Sequence, residues 1–128
     1  MSRRLSKPVK IILSVVVLVV FSSLGAYQLL PLPTVRVDYI NVGSTGLVGD
    51  SILLTSSEGK VVLIDGGYPG TGALKLIQER GITHIDLVVL SHPHDDHAGG
   101  LVDVLKAVPV DRMAASGQTL DSNTYHEL

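Results

Sequence analysis

The 128-residue sequence contains no cysteine and no tryptophan, and its aromatic residues are limited to one Phe and four Tyr. The absence of cysteine excludes a disulfide scaffold, a thiolate nucleophile and any zinc site built on sulfur. The scarcity of aromatic side chains argues against a stacking platform for nucleic acid. Charged residues make up only 17% of the chain, which is too few for intrinsic disorder. The composition therefore predicts one globular domain at most.

Charge is distributed unevenly along the chain. Residues 1–34 contain four of the ten basic residues (Arg3, Arg4, Lys7 and Lys10) and no acidic residue. Residues 35–128 therefore hold six basic residues against all twelve acidic ones, a net charge of −6. A negatively charged domain repels a polyanion over most of its surface, so a basic patch for nucleic acid is not predicted.

Residues 11–30 form the one long apolar run in the sequence. Twenty residues in a helix span about 30 Å, the thickness of one hydrocarbon core. The basic residues before the run favour the cytoplasmic side of the membrane, which places residues 35–128 outside the cytoplasm. The alternative is a signal peptide that is cleaved near the small residues Ser23 and Gly25, which would leave a secreted protein.

Two prolines, Pro31 and Pro33, end the predicted membrane helix and form a short linker. The chain therefore divides into a basic N-terminus, membrane anchor and linker (residues 1–34) and a soluble domain (residues 35–128). Within the domain, apolar alternation and short apolar runs predict strands at 35–39, 52–55, 61–64 and 87–90, with a further strand beginning at 112. Helices are predicted from Thr71 to Gly81 and from Ala98 to Pro109. This order is typical of a layered α/β domain.

A cluster of metal-binding residue types follows the predicted buried strand at 87–90. His92, His94, Asp96 and His97 form the pattern H-x-H-x-D-H. Imidazole nitrogens and carboxylate oxygens are ligands that zinc accepts, and the junction of a strand and a helix is a common place for them. Packing three imidazoles with two carboxylates is costly unless a cation organises them. The alternative is a solvated polar loop that is rich in histidine.

Three runs of residues carry a resemblance to a known family. They are 61–67 (VVLIDGG), 81–86 (GITHID) and 90–100 (LSHPHDDHAGG). Together they resemble the N-terminal half of the metallo-β-lactamase superfamily, and within it the chain is most similar to the extracytoplasmic domain of ComEC-type competence proteins. The resemblance covers residues 35–128. It implies a four-layer α/β/β/α sandwich, of which this chain would supply the N-terminal half.

The resemblance also implies a set of site residues. His92 and His94 would hold a first metal, and Asp96 with His97 a second, with Asp96 also acting in proton transfer. The metal would be zinc, as one or two ions, with manganese as the alternative. Asp65 would support the metal ligands from behind. Alternatively, Asp65 is simply a turn residue that ends a strand.

Three further residues are candidates for the site: Asp50, His84 and His126. Asp50 lies in a Gly-Asp-Ser that matches only the end of the family's Gly-Gln-Gly-Asp-Ser, and no role follows from it. His84 precedes a buried strand and is predicted to be structural. The family requires later ligands, and His126 is too close to the motif to be one of them. The site is therefore expected to be incomplete, either because the chain is a fragment or because it is a truncated relative.

Two functions follow from these observations. The first is a metal-dependent hydrolase in which metal-activated water attacks a phosphodiester or an ester. A ComEC-like substrate would be nucleic acid, and a small-molecule substrate stays open. The second is a non-catalytic, membrane-tethered module that binds metal or joins a larger assembly.

Overall fold

The computed structural model describes residues 6–28, 32–42 and 49–128. Arg3 and Arg4, the end of the predicted anchor with Pro31, and residues 43–48 lie outside the described residues. The chain divides into two compact units, Met1–Leu32 and Pro33–Leu128. Each unit is described by itself below.

The described part of the first unit contains one long helix, α1 (Lys7–Gln28). It begins four residues before the predicted run because Pro8, in the first turn, needs no hydrogen-bond partner for its nitrogen. Ser22 and Ser23 donate their hydroxyls to the backbone carbonyl of Val19, at 3.0 and 2.8 Å, so neither hydroxyl is left unpaired in the helix. Residues Lys7–Tyr27 are long and apolar enough to cross a membrane, although a signal sequence meets the same criterion.

The second unit is built on one mixed, five-stranded sheet. Its strands are β1 (Val35–Tyr39), β2 (Ile52–Ser56), β3 (Val61–Ile64), β4 (Leu87–Leu90) and β5 (Met113–Ala115). They lie side by side in sequence order. The pairs β1–β2 and β2–β3 are antiparallel, whereas β3–β4 and β4–β5 are parallel. The predicted strands 52–55 and 61–64, which pair across the 57–60 turn, and the predicted strand 87–90 are therefore confirmed.

Helices make the connections that parallel strands require. The helix α2 (Gly72–Glu79) joins β3 to β4, and α3 (Asp95–Ala107) joins β4 to β5. Gly81 follows α2 with φ 66°, the left-handed conformation that commonly ends a helix. The short helix α4 (Asn123–Glu127) is capped by Ser122, whose hydroxyl accepts from the backbone N–H of Tyr125 at 3.2 Å. The sequence analysis predicted no helix in this polar region.

One face of the sheet and the helices enclose the hydrophobic core. Alternate strand residues point to this face and are buried, and they pack against the apolar sides of α2 and α3. The strand residues are Leu53, Val61, Leu63, Val88 and Leu90, and the helix residues are Ala73, Ile77, Ala98, Leu101 and Val104.

The opposite face of the sheet is also apolar, but its edge strand is open to solvent. On β1, Val35, Val37 and Tyr39 are 62%, 48% and 81% exposed. The part of the chain that the structure describes thus provides a sheet and the helices on one side of it. This is a mixed α/β arrangement of the kind expected for the N-terminal half of the implied sandwich.

Two pairs of glycines bring α3 against the loop after β3. Gly66 donates its backbone N–H to the carbonyl of His97, and Gly100 donates its own to the carbonyl of Gly67, both at 2.7 Å. A Cβ on Gly100 would overlap the carbonyl oxygen of Gly66, and a Cβ on Gly99 would overlap Pro69. The absence of side chains here lets the two backbones touch, and this contact fixes the start of α3 beside β3.

Candidate metal centre

The candidate centre lies where β3 and β4 end. These strands are parallel and pair Ile64 with Val89, so their carboxyl ends meet at the same edge of the sheet. Asp65 follows β3 directly, and Ser91 follows β4. The helix α3 starts four residues later, at Asp95, and not at Ala98 as the periodicity predicted. Asp96 and His97 therefore lie in the first turn of the helix, where acidic side chains interact favourably with the helix dipole.

Asp65 is the buried acid of the centre. It is 4% exposed and has φ 56°, a left-handed conformation that is uncommon for a residue other than glycine. Its Oδ1 accepts the backbone N–H of Ser91 at 2.8 Å. Its Oδ2 accepts the Ser91 hydroxyl at 2.6 Å and His97 Nδ1 at 2.9 Å. The carboxylate thus accepts three hydrogen bonds, and the unusual backbone conformation aims it at the histidine loop.

The hydrogen bonds around Asp65 assign the tautomers of two histidines. His97 is buried and donates Nδ1–H to Asp65, so its Nε2 carries the lone pair. The Ser91 hydroxyl gives its proton to Asp65, so its oxygen accepts from His92 Nδ1, 3.0 Å away. Both rings therefore present Nε2, the nitrogen that is free to bind a metal.

His92, Asp96 and His97 each offer one ligand atom, and these atoms all lie within 4.8 Å of one another. The His92 and His97 ring centroids are 3.9 Å apart, and His97 Nε2 is 3.6 Å from Asp96 Oδ2. His94 lies beside this group, with its ring centroid 4.8 Å from that of His92 in an edge-on contact. It is exposed and occupies the N-cap position of α3 without capping it through its side chain.

Asp50 is a residue to which the sequence analysis gave no role. Its Oδ2 is 3.9 Å from His97 Nε2, on the side of the ring away from Asp65. The signal that pointed to it was the short Gly-Asp-Ser match. That short match was not enough to predict a role for Asp50, because only the fold brings Asp50 close to His97.

The other two histidines lie apart from this group. His84 Nε2 is 2.8 Å from Asp111 Oδ1, and both side chains are about half exposed. His84, Asp86 and Asp111 form a second, largely exposed group, in which one nitrogen or oxygen atom of each side chain lies within 4.8 Å of the others. His126 Nε2 is 2.9 Å from Asp121 Oδ1 on an exposed part of the surface. Within the residues that the structure describes, neither His84 nor His126 lies in the cluster formed by His92, Asp96 and His97.

The donor set at His92 fits a divalent transition metal. It combines imidazole nitrogens and carboxylate oxygens, and the Nδ1 of one imidazole is held by a buried carboxylate. This carboxylate–histidine arrangement typically orients a ligand toward zinc and raises its basicity. No buried side-chain nitrogen or oxygen in the described residues lacks a partner, so the fold satisfies the polar groups behind the site.

Comparisons with known proteins identify the family of the chain. A family model described as the metallo-beta-lactamase superfamily matches residues 44–123. Endoribonuclease ysh1 of Schizosaccharomyces pombe is 32% identical over 78 residues, which are 58% of this chain and 10% of that protein. Recombination protein 2 of Haemophilus influenzae is 36% identical over 90 residues, 65% of this chain and 11% of that protein.

Two further similarities were found. Beta-lactamase-like protein 2 homolog of Caenorhabditis elegans is 30% identical over 83 residues, 57% of this chain and 28% of that protein. The solved structure of Rm3 metallo-beta-lactamase is 34% identical with a TM-score of 0.40, and the match covers 61% of this chain and 30% of that one. The chain thus spans at most 28% of the length of these three curated relatives. Because the family model matches more than half of its residues, the chain belongs to the metallo-beta-lactamase superfamily.

Proposed function

We propose that the chain is a membrane-anchored, ComEC-like, metal-dependent hydrolase domain that acts on a phosphodiester or an ester. The observation that carries the proposal is the cluster of His92, Asp96 and His97, whose potential ligand atoms all lie within 4.8 Å of one another, with His97 held by the buried Asp65. These residues would hold zinc or manganese, which would activate a water at neutral pH and offset the negative charge that develops on the substrate. The hydrolase activity of the superfamily relatives supports the same assignment.

Each side chain of the motif has a proposed role. His92 and His94 bind a first metal, and Asp96 with His97 bind a second. Asp96, whose side chain is 29% exposed, is accessible enough to exchange a proton with the substrate. Asp65 positions His97 and touches no substrate, because it is buried behind the ring.

Nucleic acid is the proposed substrate. Two relatives are named as an endoribonuclease and a recombination protein, and both names point to a polynucleotide. The net charge of −6 in residues 35–128 does not attract a polyanion, so the metals themselves must hold the phosphate. This requirement predicts that phosphodiester binding depends on metal, whereas a neutral ester would bind without it.

The proposed location follows from α1. A helix that is apolar on all sides matches a membrane anchor, and Lys7 and Lys10 at its start favour the cytoplasmic side. The domain after it (residues 35–128) would then face away from the cytoplasm. Because the chain has no cysteine, single cysteines at Ser2 and Ser116 can be labelled in intact cells with a membrane-impermeant maleimide. We expect the maleimide to label the cysteine at position 116 and not the one at position 2. The measured mass of the chain should show that residues 1–34 are still present. Loss of those residues would indicate a cleaved signal peptide.

The hydrolase proposal is tested with the full chain in detergent micelles. The substrates are bis(4-nitrophenyl) phosphate and 4-nitrophenyl acetate, each with zinc, with manganese and with EDTA. We expect metal-dependent cleavage of the diester. Asp96→Asn should lower it by about 100-fold or more, because the variant loses both a metal ligand and an acid–base group. His126→Ala is the matched control and should keep full activity.

Two outcomes would contradict the proposal. Cleavage that survives both Asp96→Asn and His92→Ala would place the activity elsewhere. Metal binding without turnover of either substrate would support the second candidate function, a tethered module that binds metal but does not catalyse.

A further inference from the structure

Ser51 carries a buried hydroxyl that contacts the backbone of Asp65. The antiparallel register pairs Ile52 with Ile64, so Ser51 and Asp65 are the next residues to face each other, just past the end of the β2–β3 ladder. Ser51 is 3% exposed, and its hydroxyl donates to the backbone carbonyl of Asp65 at 2.9 Å. It is also the last residue of the short Gly-Asp-Ser match, whose role was left open above.

The backbone around Ser51 is held from two sides. The carbonyl of Ser51 accepts the backbone N–H of Ile40, which follows β1, at 2.9 Å. The N–H of Asp50 donates to the carbonyl of Asp96 at 3.2 Å, and a Cβ on Gly49 would lie 2.7 Å from that same oxygen. Ser51 therefore belongs to a segment that is tied both to the end of β1 and to the first turn of α3.

Asp65 has a backbone conformation that needs support from its surroundings. Its φ of 56° is left-handed, and residues other than glycine keep such a conformation only where neighbouring groups hold it. The N–H of the next residue, Gly66, donates to the carbonyl of His97 at 2.7 Å. The Ser51 hydroxyl and the His97 carbonyl thus hold the two ends of one peptide unit, the unit that joins Asp65 to Gly66.

The orientation of this peptide unit affects where the Asp65 carboxylate points. If the unit turned toward a more common backbone conformation, the Cα–Cβ bond of Asp65 would change direction with it. The carboxylate accepts the Ser91 hydroxyl at 2.6 Å and His97 Nδ1 at 2.9 Å. Hydrogen bonds of this length weaken steeply when the geometry changes, so a small turn of the backbone would release His97.

We infer that Ser51 is a positioning residue of the metal centre. Its hydroxyl holds the Asp65 peptide unit, and through that unit the carboxylate that leaves Nε2 of His97 open to a metal. Where it concerns the metal, the inference rests on the proposed function. The effect on the His97 ring is a property of the chain without metal and is measured separately.

The inference is tested on the full chain, stripped of metal, in detergent micelles. Ser51→Ala removes the hydroxyl and leaves a buried carbonyl without this partner. Histidine nitrogen chemical shifts should show Nδ1–H at His97 in the unaltered chain and a mixture of both tautomers in Ser51→Ala. Zinc alone, titrated against a chromophoric chelator, should bind about tenfold more weakly to Ser51→Ala. Ser51→Thr keeps the hydroxyl and should restore both properties.

Two further variants separate positioning from a general loss of stability. Ser122→Ala removes another serine hydroxyl, the one that accepts the backbone N–H of Tyr125 at 3.2 Å and caps α4. Both alanine variants should lower the urea midpoint, but only Ser51→Ala should change the His97 tautomer. Ser51→Cys fills nearly the same space with a weaker donor, so it should fold and show a partial change of tautomer.

A double variant tests whether Ser51 acts through Asp65. Because Asp65→Asn already removes the carboxylate that Ser51 is inferred to aim, adding Ser51→Ala should weaken zinc binding by less than about twofold more. Losses of zinc affinity that add in full would overturn the inference, since Ser51 would then act by another route.

The outcomes also distinguish this inference from the function on which it rests. An unchanged His97 tautomer in both Ser51→Ala and Ser51→Cys would overturn the role of Ser51 and leave the metal centre intact. Absence of zinc binding in the unaltered chain would overturn the proposed function, and the tautomer comparison would still decide whether Ser51 positions His97.

Discussion

Asp65 Oδ2 accepts a hydrogen bond from His97 Nδ1 at 2.9 Å, although the two residues are 32 positions apart in the chain. Both side chains are buried, and the bond leaves His97 Nε2 facing Asp96 and Asp50. One carboxylate therefore determines which nitrogen of the ring is available.

Asp65→Asn should weaken zinc binding by roughly 10–100-fold without removing a direct ligand. The amide that replaces the carboxylate can donate to His97 Nδ1, which would move the ring proton to Nε2. Histidine nitrogen chemical shifts measured in the metal-free protein should show this change of tautomer. Asp121→Asn should leave both the shifts and the affinity unchanged, and an unchanged His97 tautomer in Asp65→Asn would refute the role given to Asp65.

Ser91→Ala should loosen His92. The Ser91 hydroxyl links Asp65 to His92 Nδ1 through contacts of 2.6 and 3.0 Å, and alanine removes both. We expect a loss of about tenfold in zinc affinity and a mixed tautomer at His92. Ser91→Thr keeps the hydroxyl and should restore both properties. If alanine and threonine behave alike in the chelator competition, the hydroxyl has no positioning role.

Gly100→Ala should destabilise the domain by about 3 kcal/mol, at the upper end of the usual cost of overpacking. Helix propensity alone predicts the opposite sign, a gain of about 1 kcal/mol when alanine replaces glycine inside a helix. Here the new Cβ would overlap the carbonyl oxygen of Gly66, so α3 would have to move away from β3. Urea unfolding of the metal-free chain measures the change, and a stabilised variant would contradict the close contact.

Asp86→Asn should lower stability at pH 7 and lose this effect in acid. Asp86 Oδ1 accepts from Lys60 Nζ at 2.6 Å and Oδ2 accepts the backbone N–H of Val61 at 2.8 Å. The side-chain hydrogen bond from Lys60, followed by the backbone bond from Val61, lowers the pKa of Asp86 below its usual 3.8. The same hydrogen bond and the charge of Asp86 raise the pKa of Lys60 above 10.5.

The sign of the pH dependence follows from these two shifts. The contribution of Asp86 is complete above pH 3.8 and is lost as the pH falls through the lowered pKa of the folded state. That of Lys60 is complete below pH 10.5 and is lost as the pH rises through the raised pKa. Urea midpoints of the unaltered chain and Asp86→Asn should therefore differ at pH 7 and converge below pH 3.8. A constant difference across this range would contradict the ion pair.

The sequence by itself determined most of the secondary structure and the family. Strands such as Val61–Ile64 and Leu87–Leu90 were predictable because short apolar runs between turn residues leave few other conformations. The helix α1 was predictable because an apolar run of this length has little alternative to a helix. The H-x-H-x-D-H pattern was visible because its four residues lie within six positions of one another.

Only the tertiary structure decided how these parts form a site. Asp50 and His97 are 47 positions apart, and their approach depends on the order of the strands and on Gly49, which no local pattern reveals. The start of α3 at Asp95 was missed because the apolar period begins only at Ala98, whereas the first turn is held by backbone bonds to Gly66 and Asp50. Local patterns arise from interactions between neighbours in sequence, but a metal site needs side chains from several segments. Their separation is set by the packing of the whole sheet against its helices.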